Sequence, residues 1–178
     1  MKVLNGSAYR EPTFIRKKYE LTDESIVYNG RILKRIRALV NFGYIRAGTL
    51  GGFVESVGNL SQEGYCWIYS NARVYDNAFI YGNIQVDGAS DISGNAQLMG
   101  YGNITDRTVI RGNVKAYGEI QLSGMTVLKD NVVLNGRNEI KNASVKDNVI
   151  LAGNNRILGH MLIGGYAQLF NVDLKQGE

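Results

Sequence analysis

The chain has 178 residues, of which 44% are hydrophobic and 20% are charged, and it contains 22 glycines but one proline, one cysteine and one histidine. This length predicts one domain with its own core, and the composition excludes a disordered acidic or basic tail. A single cysteine and a single histidine exclude an internal disulfide and a Cys/His zinc site, so neither a metal nor a cofactor is predicted. The net charge of +4 resides in residues 1–67, because residues 68–178 carry 10 basic and 10 acidic side chains.

Residues 1–67 lack a regular repeat, and we expect them to form an N-terminal β cap. Two strand-like segments, residues 18–28 and 31–40, flank Asn29-Gly30, a dipeptide typical of tight β-hairpins. A repeat domain needs such a cap because an uncovered terminal repeat exposes core side chains and unpaired backbone groups. The predicted organisation is a cap at residues 1–67, a repeat domain at 68–174 and a short C-terminal tail at 175–178.

An aliphatic side chain recurs every six residues from Ile68 onward, and this repeat decides the predicted architecture. Positions two residues before each aliphatic are mostly small, and those two residues after it are mostly Gly, Asp or Asn, which tolerate the positive φ of sharp corners. Such a period predicts short strands and tight corners, because glycines at this frequency would break helices. One step, from Ile140 to Val145, is a residue short, and the register is expected to hold after it. The aliphatic row is Ile68, Val74, Ile80, Val86, Ile92, Leu98, Ile104, Ile110, Ala116, Leu122, Leu128, Leu134, Ile140, Val145, Leu151, Ile157, Ile163 and Leu169.

These hexads resemble the hexapeptide repeats of left-handed parallel β-helices, in which three hexads make one triangular coil. The resemblance implies an all-β fold: a single-stranded parallel β-helix, left-handed and triangular, with about six coils behind the hairpin cap. Every third hexad then belongs to the same side of the triangle. We name the sides face one, which starts at Ile68, face two, which starts at Val74, and face three, which starts at Ile80.

Four sequence blocks near the start of the repeat resemble those of a more specific family, the YdcK-like β-solenoid proteins of bacteria, prophages and phages. The blocks are RIRAL at residues 35–39, AGTLGG at 47–52, LSQEG at 60–64 and CWIY at 66–69. The resemblance spans about residues 17–174 and implies a phage- or prophage-type member that acts in the cytoplasm of a bacterial host cell. It does not imply an activity, because a fold does not define a function. With no apolar run of signal-peptide or membrane-spanning length, no membrane partner is expected.

No catalytic residue is predicted. Hexapeptide acyltransferases usually place a catalytic histidine beside a loop that projects from the coils, and this sequence has no such loop. His160 is the one candidate general base, at a corner expected to face solvent, and Cys66 is expected to be a buried cap residue rather than a nucleophile.

Face three is expected to be an oligomer interface, because most of its outward side chains are apolar or aromatic and a contiguous apolar patch marks an interaction surface. Cover by the cap is the alternative. The predicted interface residues are Phe79, Tyr81, Met99, Tyr117, Val133, Ile150 and Phe170.

Face two carries aligned cations that are candidates for binding an anionic ligand such as a nucleotide. Arg111, Lys129 and Lys146 fall on successive coils, and Arg156 and His160 near the C-terminal coils complete the candidate set. Charge balance by the aspartates that follow both lysines is the structural alternative.

Five asparagines fall one coil apart at one corner and are expected to stack as a structural amide ladder. The cap contains basic clusters but no recognised nucleic-acid-binding module, so sequence-specific nucleic-acid binding is not predicted.

The function that fits these observations is a non-enzymatic phage-type binding protein. By family distribution, we expect an antagonist of host defence that sequesters a nucleotide or blocks a host defence protein. A structural or assembly module of a phage, and a relic of a hexapeptide-repeat acyltransferase, remain the alternatives.

Overall fold

The computed structural model describes residues 17–176, which form an all-β fold. In this part of the chain the one helical element is a 3-10 turn at Val57–Asn59, and no helix is long and apolar enough to cross a membrane. The strands are β1 (Tyr19–Tyr28), β2 (Arg31–Ala38), β3 (Leu50–Val54), β4 (Trp67–Ile68), β5 (Arg73–Val74), β6 (Phe79–Val86), β7 (Asp91–Ile92), β8 (Gln97–Ile104), β9 (Val109–Gly112), β10 (Lys115–Ser123), β11 (Val127–Asp130), β12 (Val133–Lys141), β13 (Ser144–Val145), β14 (Ile150–Leu158), β15 (Leu162–Ile163), β16 (Gln168–Phe170) and β17 (Asp173–Lys175).

Parallel stacking of these strands confirms the predicted β-solenoid and gives it about seven turns, where the hexads alone predicted about six. The additional turn precedes the hexad row: β3 pairs with β5, Leu60 bridges to Ile80, and β4 pairs with β6. The sequence pattern did not reveal this turn because the spacing between Leu60 and Ile68 is longer than one hexad. The boundary at residue 67 and the left-handed sense remain predictions.

The three-sided cross-section arises because the long strands bend at glycine. In β6, β8, β10, β12 and β14 a glycine with positive φ lies near the middle, for example Gly82 at 83° and Gly118 at 107°. The part of each long strand before this glycine belongs to face three and the part after it to face one. The short strands β5, β7, β9, β11, β13 and β15 form face two.

The short step in the repeat does not disturb the stacking. Before the step, Ile104 pairs with Leu122, which follows it by three full hexads. Across the step, Leu128 pairs with Val145, which lies one position short of three hexads away. The turn at Asn142, whose φ is 57°, accommodates the shorter step. The predicted register therefore holds along the whole solenoid.

Side chains of the aliphatic row fill the interior. From Ile68 to Ile157 they are at most 1% exposed, while Ile163 and Leu169 in the last turn are partly buried. Two buried amides lie beside this row, two residues before Ile140 and Ile157, and Asn155 Nδ2 donates to Asn138 Oδ1 at 3.0 Å. This hydrogen bond lowers the cost of burying the two groups that form it.

The predicted hairpin is also confirmed. Strands β1 and β2 pair antiparallel, and Asn29 and Gly30 between them have φ values of 48° and 75°, as a two-residue turn of this kind requires. Strand β2 pairs in turn with β3, so the hairpin continues the sheet of face two beyond the first turn.

Candidate anion-binding groove

The tip of the hairpin folds over the outer surface of face two. Leu33 on β2 is buried against Phe53 and Tyr75, which point outward from the solenoid. The rings of Tyr28 and Tyr75 meet edge to face at 5.8 Å, and Asn29 Nδ2 donates to the Tyr75 hydroxyl at 3.1 Å. These contacts fix the tip above the turn that carries Tyr75.

A groove of about 300 Å³ lies between this tip and the rest of face two. Its floor is low because the outward side chains of the next turn, Ala89, Asp91 and Ser93, are short. The larger outward side chains of the following turn, Arg107, Val109 and Arg111, form the far wall of the groove. The lining residues are Tyr28, Asn29, Arg73, Tyr75, Ala89, Asp91, Ser93, Arg107, Val109 and Arg111.

The floor of the groove is electrically balanced. Arg73 Nε lies 3.4 Å from a carboxylate oxygen of the buried Asp91, and the Arg73 guanidinium lies 4.1 Å from the centre of the Tyr28 ring. A hydrogen bond to Asp91 raises the pKa of Tyr28, and burial raises the pKa of Tyr75. Both phenols are therefore neutral at physiological pH, and the Arg73 charge is compensated.

The far wall of the groove is positively charged. Arg107 and Arg111 are both exposed and flank Val109 on the same turn. Among residues 17–176, neither arginine forms an ion pair with a carboxylate. Two guanidinium groups with their donors available match the oxygens of a phosphate or carboxylate.

The structure brings three of the predicted ligand-binding residues together on face two. Lys129 pairs with Arg111 in the strand register, and Lys146 follows Val145, which pairs with Leu128. The Lys129 ammonium lies 4.0 Å from the neighbouring Asp130 carboxylate, which partly balances its charge. Arg111 is the one of the three that lines the groove, and the role of all three in ligand binding remains a prediction.

The other two predicted ligand-binding residues lie elsewhere. Arg156 is on face one, where its Nε lies 3.0 Å from Glu139. His160 is exposed at the corner after β14, and within residues 17–176 no side chain forms a hydrogen bond with it. Neither residue belongs to the groove.

The predicted interface residues form an unbroken row on face three. Tyr81, Met99 and Phe170 are exposed, at 37%, 38% and 58%, and the other predicted residues are partly buried. At the N-terminal end of this row, the loop of residues 57–63 borders a second, more apolar groove of about 570 Å³, which we call the face-three groove. Its lining residues are Val57, Leu60, Ser61, Gln62, Glu63, Phe79, Tyr81 and Met99.

Sequence reasoning missed Arg107, Tyr28 and the short floor around Asp91. The outward residues of the hexad at Ile92 are visibly short in the sequence, and that pattern alone predicts a dip in the face. The position of the hairpin tip has no such local signal, because it depends on the packing of Leu33 against Phe53 and Tyr75.

At positions 17–176, no group of three or more His, Cys, Asp or Glu side chains is arranged to hold a metal ion.

No protein-family model matches the chain. Over 83 residues the chain is 30% identical to a curated protein of Escherichia coli (strain K12) named uncharacterized acetyltransferase YdcK. The match covers 42% of this chain and 26% of the relative, so the chain matches about a quarter of that protein's length. Together with the β-solenoid fold, this similarity fits a hexapeptide-repeat protein.

Proposed function

We propose that the protein is a non-enzymatic binding protein that holds an anionic ligand of the nucleotide class in the groove on face two. The observation that carries this proposal is the pair of exposed guanidinium groups of Arg107 and Arg111, which face the hairpin tip across a floor that is already neutral. The volume of about 300 Å³ lies at the lower end of the range of small-molecule sites. The phosphate would bind the two arginines, and the edge of Tyr28 offers a surface for a ring.

The preorganised walls of the groove favour ligand binding. The walls are stacked strands and a hairpin tip that is held by Tyr75, so little order has to be gained when a ligand enters. Sequestration of a nucleotide messenger, and thereby antagonism of host defence in a bacterial cytoplasm, is the narrower form of the proposal. Two alternative functions are that a face of the solenoid blocks a host protein, or that the protein is an assembly module of a phage.

Binding is tested by calorimetry and thermal unfolding with cyclic nucleotides, NAD derivatives, acyl-CoA and inorganic phosphate. A ligand that binds only the native state raises the melting temperature. Arg107→Glu and Arg111→Glu should each weaken binding by at least about tenfold, since a hydrogen bond to a charged group contributes about 1.5–3 kcal/mol. Arg137→Glu is the matched control, because Arg137 lies on face one, 3.3 Å from Glu119. Equal binding by all three variants, or no stabilisation by any compound, would reject the groove as the site.

Acetyl transfer is the second candidate because the Escherichia coli relative carries that name. A transferase needs a general base, and His160 is the one histidine of the chain. A positioned histidine contributes about 10²- to 10⁴-fold to rate, so His160→Ala should remove detectable transfer if this candidate is correct. Under the binding proposal, the same variant keeps full ligand affinity.

A further inference from the structure

Face three carries a projecting side chain at one end and a groove at the other. Phe170 on β16 is 58% exposed in the last turn, whereas the face-three groove lies beside Val57, Tyr81 and Met99 at the first turns. The strand register places Phe170 and Tyr81 in one column, five turns apart. With about 4.8 Å between stacked strands, this separation is about 24 Å.

We propose that a second copy of this chain packs antiparallel on face three, so that Phe170 of each copy enters the face-three groove of the other. A two-fold axis parallel to the strands, between the turns of Tyr117 and Asn135, produces both contacts at once. Such a self-complementary arrangement is the usual form of a homodimer interface. The inference is independent of the proposed anionic ligand, because the groove proposed to hold it lies on face two.

The side chains along the face are complementary in size in this register. The axis brings Met99 opposite the small Ala152 of the second copy, and Tyr117 opposite Asn135. It brings Lys115 opposite Val133 rather than opposite another lysine, which avoids repulsion between like charges at the centre. A parallel dimer would instead place Phe170 beside Gln168 of the second copy and would leave both grooves empty.

The size of the face is sufficient for a small, reversible interface. Six stacked turns span about 29 Å, and five residues across a strand span about 17 Å, so each copy would bury about 500 Å². The total of about 1,000 Å² is at the lower limit for a specific protein complex. We therefore expect a reversible dimer with a dissociation constant near the micromolar range.

Light scattering over a range of protein concentrations tests the dimer. The wild-type chain should approach twice its monomer mass at about 100 μM, and Phe170→Asp and Tyr117→Lys should each remain monomeric. Gln121→Lys, on face one, is the matched control and should dimerise normally. Far-UV circular dichroism and the melting temperature establish that each variant is folded. A wild-type chain that stays monomeric, or a Phe170→Asp variant that dimerises like the wild type, would overturn the proposal.

Cysteine crosslinking with a short bismaleimide tests the direction of packing. Cys66 is fully buried, so an introduced cysteine provides the reactive thiol. Asn135→Cys lies next to the axis and should crosslink to the same position of the second copy. Gln168→Cys should not crosslink to itself but should crosslink when mixed with Phe79→Cys, which the register places opposite it. Self-crosslinking of Gln168→Cys would show a parallel dimer and would contradict the antiparallel arrangement.

Discussion

Lys18 illustrates how one residue fastens the cap to the solenoid. Its side chain is 4% exposed, and its Nζ donates to the backbone carbonyls of Glu63 and Cys66 at 3.2 and 3.0 Å. The same ammonium lies 3.3 Å from the Cys66 sulfur and 5.1 Å from the centre of the Phe42 ring. Burial lowers the pKa of Lys18, and the neighbouring Cys66 partly offsets this effect. The Cys66 carbonyl belongs to a fully buried residue, and the Lys18 ammonium donates to it there.

Replacement of Lys18 by methionine is therefore expected to destabilise the fold although it removes a buried charge. A buried acceptor that loses its donor costs about 1–3 kcal/mol, so Lys18→Met should lower the free energy of unfolding by about that amount through the Cys66 carbonyl. Lys17→Met is the control, because Lys17 is exposed and should change stability by less than about 0.5 kcal/mol. Urea unfolding followed by Trp67 fluorescence measures both. Equal stability of the two variants would show that the ammonium does not fasten the cap.

At the level of elements, the stacked asparagines confirm the predicted amide ladder. In each step the Nδ2 of one asparagine donates to the Oδ1 of the next, at 2.9–3.0 Å. The ladder follows one corner of the solenoid and bonds neighbouring turns at their outer edge. Its members are Asn77, Asn95, Asn113, Asn131 and Asn148.

The ladder predicts an order of stability among alanine variants. Asn113 both accepts from Asn95 and donates to Asn131, whereas Asn77 takes part in one bond of the ladder. With about 0.5–1 kcal/mol per bond, Asn113→Ala should cost about 1–2 kcal/mol and Asn77→Ala about half as much. Chemical denaturation measures the difference. If the two variants are equally stable, the bonds do not contribute and the asparagines serve the corner conformation alone.

The sequence predicts the turn of the hairpin but not the contacts that its tip makes with the solenoid. Asn29-Gly30 predicts the turn, and the turn is present with both φ values positive. The sequence does not predict that Tyr28 reaches Tyr75 and the Asp91 carboxylate, because these residues are far from Tyr28 along the chain. The groove depends on that long-range contact.

The whole molecule contains several buried acids whose ionisation opposes folding. Burial raises the pKa of the Cys66 thiol above its ordinary 9.0, and burial likewise raises the pKa values of Tyr19, Tyr69 and Tyr75 above 10.0. In each case the native state keeps its proton after the unfolded chain has lost it. Their contribution to stability is therefore present below the ordinary value and is lost as the pH rises above it. Lys18 acts in the opposite direction, because its lowered pKa makes stability rise with pH in the range below 10.5.

Five acids with raised pKa values, Tyr28 included, against one lysine with a lowered pKa predict a net loss of stability in alkali. Between pH 8 and pH 10.5 the free energy of unfolding should fall as the pH rises, because the unfolded chain loses the protons of these groups first. Urea titrations at several pH values measure this slope. Tyr19→Phe should reduce the slope, although it also removes the hydrogen bonds to Val57 and Leu60. A stability that does not change up to pH 10.5 would contradict the expected excess of the acids over Lys18.

The sequence by itself determined the repeat, its register and its corners. The aliphatic row and the glycines at positive φ are local choices that recur with the hexad, so stacking follows without any distant information. The sequence also shows that one residue is missing before Val145. The missing residue reduces the sequence separation of paired strands from 18 to 17 residues, and the register of the strands is otherwise unchanged.

Only the tertiary structure decided which residues line the candidate groove. Arg107, Arg111 and Tyr28 line one groove because Leu33 packs on Phe53 and Tyr75, a contact between the cap and the outer surface of the solenoid that has no period and no local signal. Arg156 and His160 were grouped with Arg111 on charge alone, and the path of the chain puts them on another face and at another corner. A repeat specifies where each side chain points, whereas a groove requires two different parts of the chain to approach each other, and that approach is fixed by long-range packing.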